Sequence, residues 1–379
     1  MYDLGLPMTT LQQMRDRSMH DRRRRFGWDD AFTARSLRDY DQRLLKYASL
    51  LEKSIRASAN KSINFSERIS RYSFDVMSDL SFGHSFDGLA SEKTHWAITS
   101  IRESNAALGI LGPVPWLIHL MTKLPDALNP MQKLITFSNE QVDKRKQLHP
   151  AEPDIMSHLL DQDEPFFKDP AQEYHLFTGD VRLLVIAGSD TTATALAFLF
   201  YQLALNTTLQ KKLYQEIKDL EVNVQTVQDL PYLNALINET LRLHPPVPSM
   251  PPRDTSAEGL KVGDISIPGD VTVYTPLYSL HRSDAFKKPE EFIPERWTTQ
   301  PELIANRKVF APFLIGPYAC IGRQLAYNEM RTVAARLVSA FEVALAKGED
   351  GHRLLYGSAD NFTVTIGTLE LVFTPRKSS

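Results

Sequence analysis

The sequence predicts a mainly α-helical fold with a minor β component, and three observations carry that reading. Residues 9–140 repeat apolar side chains at helical spacing, a segment around residue 190 is apolar nearly all round, and only short stretches beyond residue 260 alternate. In the N-terminal part, AFTARSLRDYDQRLLKYASLLEKSI places Leu37, Tyr40, Leu44, Leu45 and Tyr47 to Leu51 near a helical period. LHPAEPDIMSHLLDQDEPFFKDPAQEY follows, rich in Pro, Asp and Glu, and reads as a short helix set in exposed loop. From about Thr178 to Asn206 the chain is apolar on every face, which predicts a helix about 40 Å long buried through the centre. LKVGDISIPGDVTVYT alternates around Pro268-Gly269 and NFTVTIGTLELVF around Gly367, so both read as small hairpins. There are no internal repeats and no low-complexity tracts.

Composition narrows the function classes. The chain has 379 residues, 42% hydrophobic and 23% charged, the balance of a globular protein rather than of a disordered, collagen-like or coiled-coil chain. A net charge of -3 argues against a general nucleic-acid binder. Charge is uneven, however: residues 1–60 hold twelve Lys/Arg against eight Asp/Glu, so the N-terminal part is expected to present a basic face. The single cysteine, Cys320, excludes an intrachain disulfide framework and points to a reducing or cytosol-facing environment. Residues 104–122 and 191–210 are each uncharged over nearly the length of a membrane span. Gly109, Gly112, Pro113 and Pro115 interrupt the first, and eight polar residues in twenty, Thr191, Thr192 and Gln202 among them, count against the second. The opening MYDLGLPMTT lacks the basic flank and apolar run of a signal peptide, so no membrane anchor is expected in this chain.

Four short motifs carry chemistry. AGSDTT, residues 187–192, lies inside the long helix, yet its residue types suit a plain buried helix badly. Gly188 costs about 1 kcal/mol against alanine, and Asp190 should not be buried without a partner. Thr191 is placed to bond back to a carbonyl one turn earlier and open the helix to water or a small molecule, so Asp190 and Thr191 form a candidate acid–alcohol pair for proton delivery. A kinked core helix with a satisfied aspartate is the plain alternative. In LPYLNALINETLRLHPPVP, Glu239 and Arg242 stand three apart on one helical face. Such pairs are common and weak at surfaces, so a structural role needs a third partner; Arg296 in EEFIPERW is the candidate to share the carboxylate in a buried network. FLIGPYACIGRQLA sets Cys320 in a glycine-rich loop at the start of a helix, where backbone N–H groups and the helix terminus stabilise a thiolate. Gly316 permits a tight turn, Gly322 leaves room for a planar group against the helix, and Phe313 is placed to shield the sulfur. On this loop alone, a haem-iron ligand, a nucleophile and an inert core thiol all stay open, although no local Cys/His signature supports the nucleophile.

AGSDTT, ETLR, PERW and FLIGPYACIG, in that order and at those spacings, resemble the cytochrome P450 family from His20 to the C-terminus, and GPYACIGRQLA is most similar to fungal members of secondary metabolism. The resemblance implies a cytochrome P450 fold, N-terminally truncated, with residues 1–379 forming a single catalytic domain. It implies haem b with Cys320 as axial thiolate and metal ligand, Asp190 and Thr191 as the catalytic pair, and Glu239, Arg242 and Arg296 as a structural triad. Haem propionates would be held by Arg253 in PPRDT and by His20 and Arg24, four apart in MHDRRRRFGWDDAF, with Arg23 and Arg25 as alternative registers. Two residues before the cysteine the family usually has a base, but this chain has Tyr318, which donates one hydrogen bond and carries no charge. Substrate would touch residues 111–116, Ala187, the segment from Val247 to Met250, and the tip at Asn361 and Phe362; an apolar pocket of this kind suits a terpenoid, polyketide or alkaloid.

The implied activity is monooxygenation with O2 and electrons from NADPH, delivered by NADPH–cytochrome P450 reductase docked on the basic face. A haem-binding remnant without turnover and a P450-type isomerase or oxidative cyclase are the alternatives. The same resemblance implies a monomer on the cytosolic face of the endoplasmic reticulum membrane or, with no anchor in this chain, a soluble cytoplasmic protein. The sequence begins where the family's helix B to C region would lie, so its first helices and most of its first sheet are expected to be missing.

Overall fold

The computed structural model describes residues 10–111, 117, 120, 129–148, 150, 152–249 and 251–377. Met250 and residues 112–116, expected to touch substrate, lie outside them. The longer helices are α1 (Arg17–Arg23), α2 (Ala34–Ala57), α3 (Phe65–Phe82), α4 (Trp96–Leu111), α5 (Asn129–Lys146), α6 (Pro170–Leu205), α7 (Thr207–Ile217), α8 (Pro231–Leu243) and α9 (Arg323–Ala340).

Helix α6 is the axis on which the others pack. It has 36 residues, about 54 Å of rise, and starts eight residues before the expected Thr178. Asp169 accepts a hydrogen bond from the Ala171 N–H and Pro170 takes the first turn, a strong start signal hidden in a segment that reads as loop. The short helix expected in that segment is present at Ile155–Leu160. Helix α3 lies along α6 and is buried over most of its length, its buried side chains including Ser73, Asp75, Ser78 and Ser81 as well as apolar ones. Among the described residues α6 is the helix long and apolar enough to cross a membrane, but 67% of its most apolar stretch is buried inside the protein.

The strands are β1 (Ser62–Asn64), β2 (Arg253–Asp254), β3 (Leu260–Val262), β4 (Ile265–Ile267), β5 (Thr272–Val273), β6 (Phe341–Leu345), β7 (Ala359–Asn361), β8 (Thr363–Thr365) and β9 (Glu370–Pro375). β9 runs between β1 and β6, antiparallel to both, and its Phe373 packs on Phe65 and Phe341. Both expected hairpins turn elsewhere. Val262 pairs with Ile265 across Gly263-Asp264, where Gly263 takes φ +58, a two-residue connection that the Pro268-Gly269 dipeptide masks in the sequence. Beyond Pro268, β5 pairs with β2. Near the C-terminus β7 meets β8 across Phe362, and Gly367 links β8 to the separate strand β9.

One buried carboxylate ties the N-terminal segment to the axis. Asp180 on α6 accepts hydrogen bonds from the Leu11 N–H at 2.6 Å, Arg23 Nε at 2.8 Å and Trp28 Nε1 at 3.1 Å, with Arg23 itself fully buried. Burial pushes the Asp180 carboxyl up, against the pull of Arg23 and the N–H donors. Asp180→Ala should therefore cost about 3–5 kcal/mol, because it strands a buried guanidinium. Chemical denaturation checks this, and a loss under about 1 kcal/mol would remove Asp180 as the anchor.

Candidate active site

A cavity of about 520 Å³ lies between α6, the N-terminal segment and the loop before α9. Its floor is Cys320. The loop 313–322 is folded back by left-handed backbone at Leu314 (φ +61) and Gly316 (φ +76), and the Cys320 N–H closes it onto the Phe313 carbonyl at 2.8 Å. Helix α9 starts only at Arg323, so Cys320 stands in the turn before the helix and not on its first residue as expected. The thiol is deep in the molecule but open to the cavity rather than packed in protein. Burial pushes it up, while the Gly322 N–H and the charge of Arg24 pull it down.

Most of the predicted residues converge here. His20, Arg24, Ala187, Thr191, Val247, Arg253, Phe313, Tyr318, Cys320, Gly322 and Phe362 all line the cavity. Gly316 shapes the loop without reaching the wall, and Asp190 lies one shell behind it. A Cβ on Gly322 would meet only Cys320 Sγ and Phe32, both at 3.9 Å, so the space over the sulfur is open to a flat group. A single sulfur donor beneath an apolar slot with a basic rim is a donor set that fits haem.

The four consecutive arginines point in different directions. Arg23 turns inward to Asp180, Arg22 and Arg25 are exposed, and Arg24 faces the cavity while bonding Asp29 and the Pro317 carbonyl. The His20/Arg24 register is thus the one at the rim. Burial lowers the pKa of His20 against the pull of Asp21, so at neutral pH it is a neutral hydrogen-bonding ring. Tyr318 packs at a tilt on His20 with ring centroids 4.4 Å apart, lies 5.5 Å from the Arg253 guanidinium and donates to the Arg15 carbonyl at 3.4 Å. Arg15, missed in the sequence, lines the same rim and pairs with Asp254 at 3.2 Å.

On the opposite wall α6 stays helical through AGSDTT. The Thr191 hydroxyl donates to the Ala187 carbonyl at 2.7 Å, the expected back-bond, without breaking the helix. Asp190 accepts from Asn105 Nδ2 at 3.0 Å, and burial pushes its carboxyl up to about 6 despite the charge of Arg102 and that hydrogen bond.

Glu239, Arg242 and Arg296 lie away from the cavity, each fully buried. Glu239 accepts from Arg242 Nη2 and Arg296 Nε, both at 2.9 Å, from Arg242 Nε at 3.0 Å, and from the Ile293 N–H at 2.8 Å. Trp297 Nε1 completes the set at 2.9 Å; the quoted motif contained it, but spacing alone gave no sign of the bond.

Two further cavity groups escaped the sequence reading. Asn105 on α4 lines the wall, and Glu329 on α9 lines it among Leu325, Met330 and Met77. An acid inside an otherwise apolar helical stripe was the available signal for Glu329. Ser73 donates to it at 3.3 Å, and burial pushes it up to about 8.

The cytochrome P450 family model matches residues 13–373. Tryprostatin B 6-hydroxylase of Neosartorya fischeri is 39% identical over 386 residues, covering 99% of this chain and 70% of the relative. Cytochrome P450 monooxygenase notG' of Aspergillus versicolor is 39% identical over 382 residues, with the same two coverages. Among solved structures, a cytochrome P450 (CYP102L1) superposes with a TM-score of 0.75 at 21% identity, covering 93% of this chain and 78% of that one. The haem domain of cytochrome P450DA gives 0.77 at 19% identity, with coverages of 93% and 76%.

The Glu329 carboxyl sets a pH dependence. Between its ordinary value of 4.5 and about 8 the unfolded chain has lost a proton that the folded chain keeps, so stability falls as pH rises across that window. Glu329→Gln has no such proton. Its thermal midpoint should drop less than that of the unsubstituted protein between pH 5 and pH 8, and equal drops would show that Glu329 is not held neutral.

Proposed function

The chain belongs to the cytochrome P450 family, and from that membership we propose the specific chemistry of this site. It is a haem-thiolate monooxygenase acting on a hydrophobic secondary metabolite. The observation that carries the assignment of roles is the placement of the Cys320 sulfur and the Thr191 hydroxyl on walls of one apolar cavity.

Haem b bound in that cavity supplies oxygen activation, with one atom of O2 going to substrate and the other to water. Cys320 would hold the iron as thiolate, with the Gly322 N–H and Arg24 countering part of the burial that disfavours the anion. His20, Arg24 and Arg253 hold the propionates, and Tyr318 contributes packing and a hydroxyl in place of the usual base. Because the Thr191 O–H is directed to the Ala187 carbonyl, its oxygen lone pairs remain to accept a hydrogen bond from the cavity. Asp190, balanced near pH 6, gives up and regains a proton at working pH, so it serves as the acid behind that alcohol. Ala187, Val247 and Phe362 shape the substrate space, with Met250 a further candidate. Phe313 covers the sulfur side.

The relatives named as a hydroxylase and a monooxygenase support hydroxylation, and the apolar wall supports a bulky hydrophobic substrate of the terpenoid, polyketide or alkaloid kind. Electrons come from NADPH through a cytochrome P450 reductase, received on a basic face to which the exposed Arg22 and Arg25 contribute. By family membership we place the protein, as a monomer, on the cytosolic face of the endoplasmic reticulum membrane.

The haem-loaded protein, reduced and given carbon monoxide, should show the red-shifted Soret band of thiolate ligation, and Cys320→Ala should lose it. Absence of the band in folded, haem-loaded protein would overturn Cys320 as ligand. Thr191→Ala should keep that band but divert most of the oxygen consumed away from product. Oxygen uptake measured beside product decides it; unchanged coupling would remove Thr191 from proton delivery.

A further inference from the structure

Asp190 does not stand alone behind the cavity wall. The Asn105 side chain on α4 donates through the same nitrogen to Asp190 Oδ2 at 3.0 Å and to Thr363 Oγ1 at 3.1 Å. An amide nitrogen has two hydrogens, so these bonds use both donors and fix the ring of contacts between α4, α6 and β8. A second clasp runs beside the first: the Thr194 hydroxyl donates to the Asp190 carbonyl at 2.8 Å and lies 3.3 Å from the Val364 carbonyl. The hairpin side of both clasps ends at the cavity. Thr363 is buried and lines it, and the adjacent Phe362, also on the wall, holds φ +79, an uncommon conformation for a bulky side chain. The hairpin is held in turn by the Val364 N–H on the Pro246 carbonyl at 2.9 Å, next to Val247 of the same wall.

We propose that Asn105 is a positioning residue that couples the hairpin tip at Phe362 and Thr363 to the carboxyl of Asp190, so that what presses on the tip is read at the proton-delivering acid. The inference rests on the reading of Asp190 as that acid. Its physical basis is that Asn105 is neutral. A neutral donor orients the carboxyl and favours its anion modestly, without fixing the charge as a close guanidinium would. Among the described residues Arg102 is the charge acting on Asp190, and it is itself bound by Glu67 and by Ser70 Oγ at 3.0 Å. If the tip shifts, Asn105 loses its Thr363 anchor, its amide is free to rotate, and Asp190 loses its oriented donor. The acid then holds its proton more tightly.

The test is a double-substitution cycle read on the Asp190 carboxyl band by infrared titration of the haem-loaded full chain, with Asp190→Asn identifying the band. Asn105→Leu should raise the titration midpoint by about one pH unit, the size of one such hydrogen bond. Thr363→Val, which removes a group that does not touch Asp190, should raise it in the same direction. In the Asn105→Leu background Thr363→Val should add nothing, and Thr363→Ser should behave as the unsubstituted protein. A Thr363→Val midpoint that does not move, or a shift that persists undiminished without Asn105, overturns the coupling. Oxygen-to-product coupling of Asp190→Asn separates the two readings. If that variant stays coupled, Asp190 is not the acid, whereas if it uncouples and the cycle is flat, only the role given to Asn105 falls.

Discussion

A carboxylate with no access to water must find every hydrogen-bond donor inside the protein, and at Glu239 that demand organises the segment leading to Cys320. Its oxygens take donors from Arg242, Arg296, Trp297 and the Ile293 backbone. The two arginines then have N–H groups to spare, and these go to the carbonyls of His281, Pro289, Glu291, Lys287 and Lys288. Residues 281–303 contain little regular ladder, so their backbone is held by side chains that converge on one anion. The thiol loop begins ten residues after this knot. Its position is therefore set by a buried charge network rather than by a neighbouring strand.

The same helix carries two acids with opposite fates. Asp180 and Asp190 are ten residues apart on α6, and burial pushes both carboxyls up. Asp180 faces a buried guanidinium and two N–H donors, which hold it as a structural anchor. Asp190 faces a neutral amide, with Arg102 engaged by Glu67, and so stays balanced near pH 6. Pairing decides which acid is scaffold and which exchanges protons; depth alone would make them equivalent.

This contrast also explains what was legible in the sequence. Glu239, Asp190 and Cys320 stood out because each is a residue type that is costly or unusual where it lies, and cost forces partners that fall in recognisable motifs. Asn105 and Arg15 gave no such signal, since a polar residue on an amphipathic helix or near a terminus is ordinary until the fold brings another element to it. Arg24 could be separated from Arg23 and Arg25 only by knowing where Asp180 lies on a helix more than 150 positions away. The hairpins slipped for a local reason. Pro268-Gly269 is the stronger turn dipeptide, but a two-residue connection at Gly263-Asp264 satisfies more of the alternating pairs, Leu260 with Ile267 and Val262 with Ile265. The start of α6 was masked by acidic loop composition, although Asp169-Pro170 is a cap and first turn in plain view.

The rim of the cavity joins these threads. Tyr318 sits where a base would be expected, between the His20 ring and the Arg253 guanidinium, so the thiol loop offers packing where charge was expected. The charge comes instead from Arg253 beside β5 and from Arg15 and Arg24 on the N-terminal segment. That segment is tied to α6 through Asp180, which holds Leu11, Arg23 and Trp28, and these three positions bracket His20 and Arg24. An arginine pulled inward at 23 leaves its neighbour at 24 turned about 100° away along the helix, toward the cavity. The buried ion pair thus aims the rim as well as anchoring the segment, and a chain that gives up the base at position 318 depends on that aim for its positive charge.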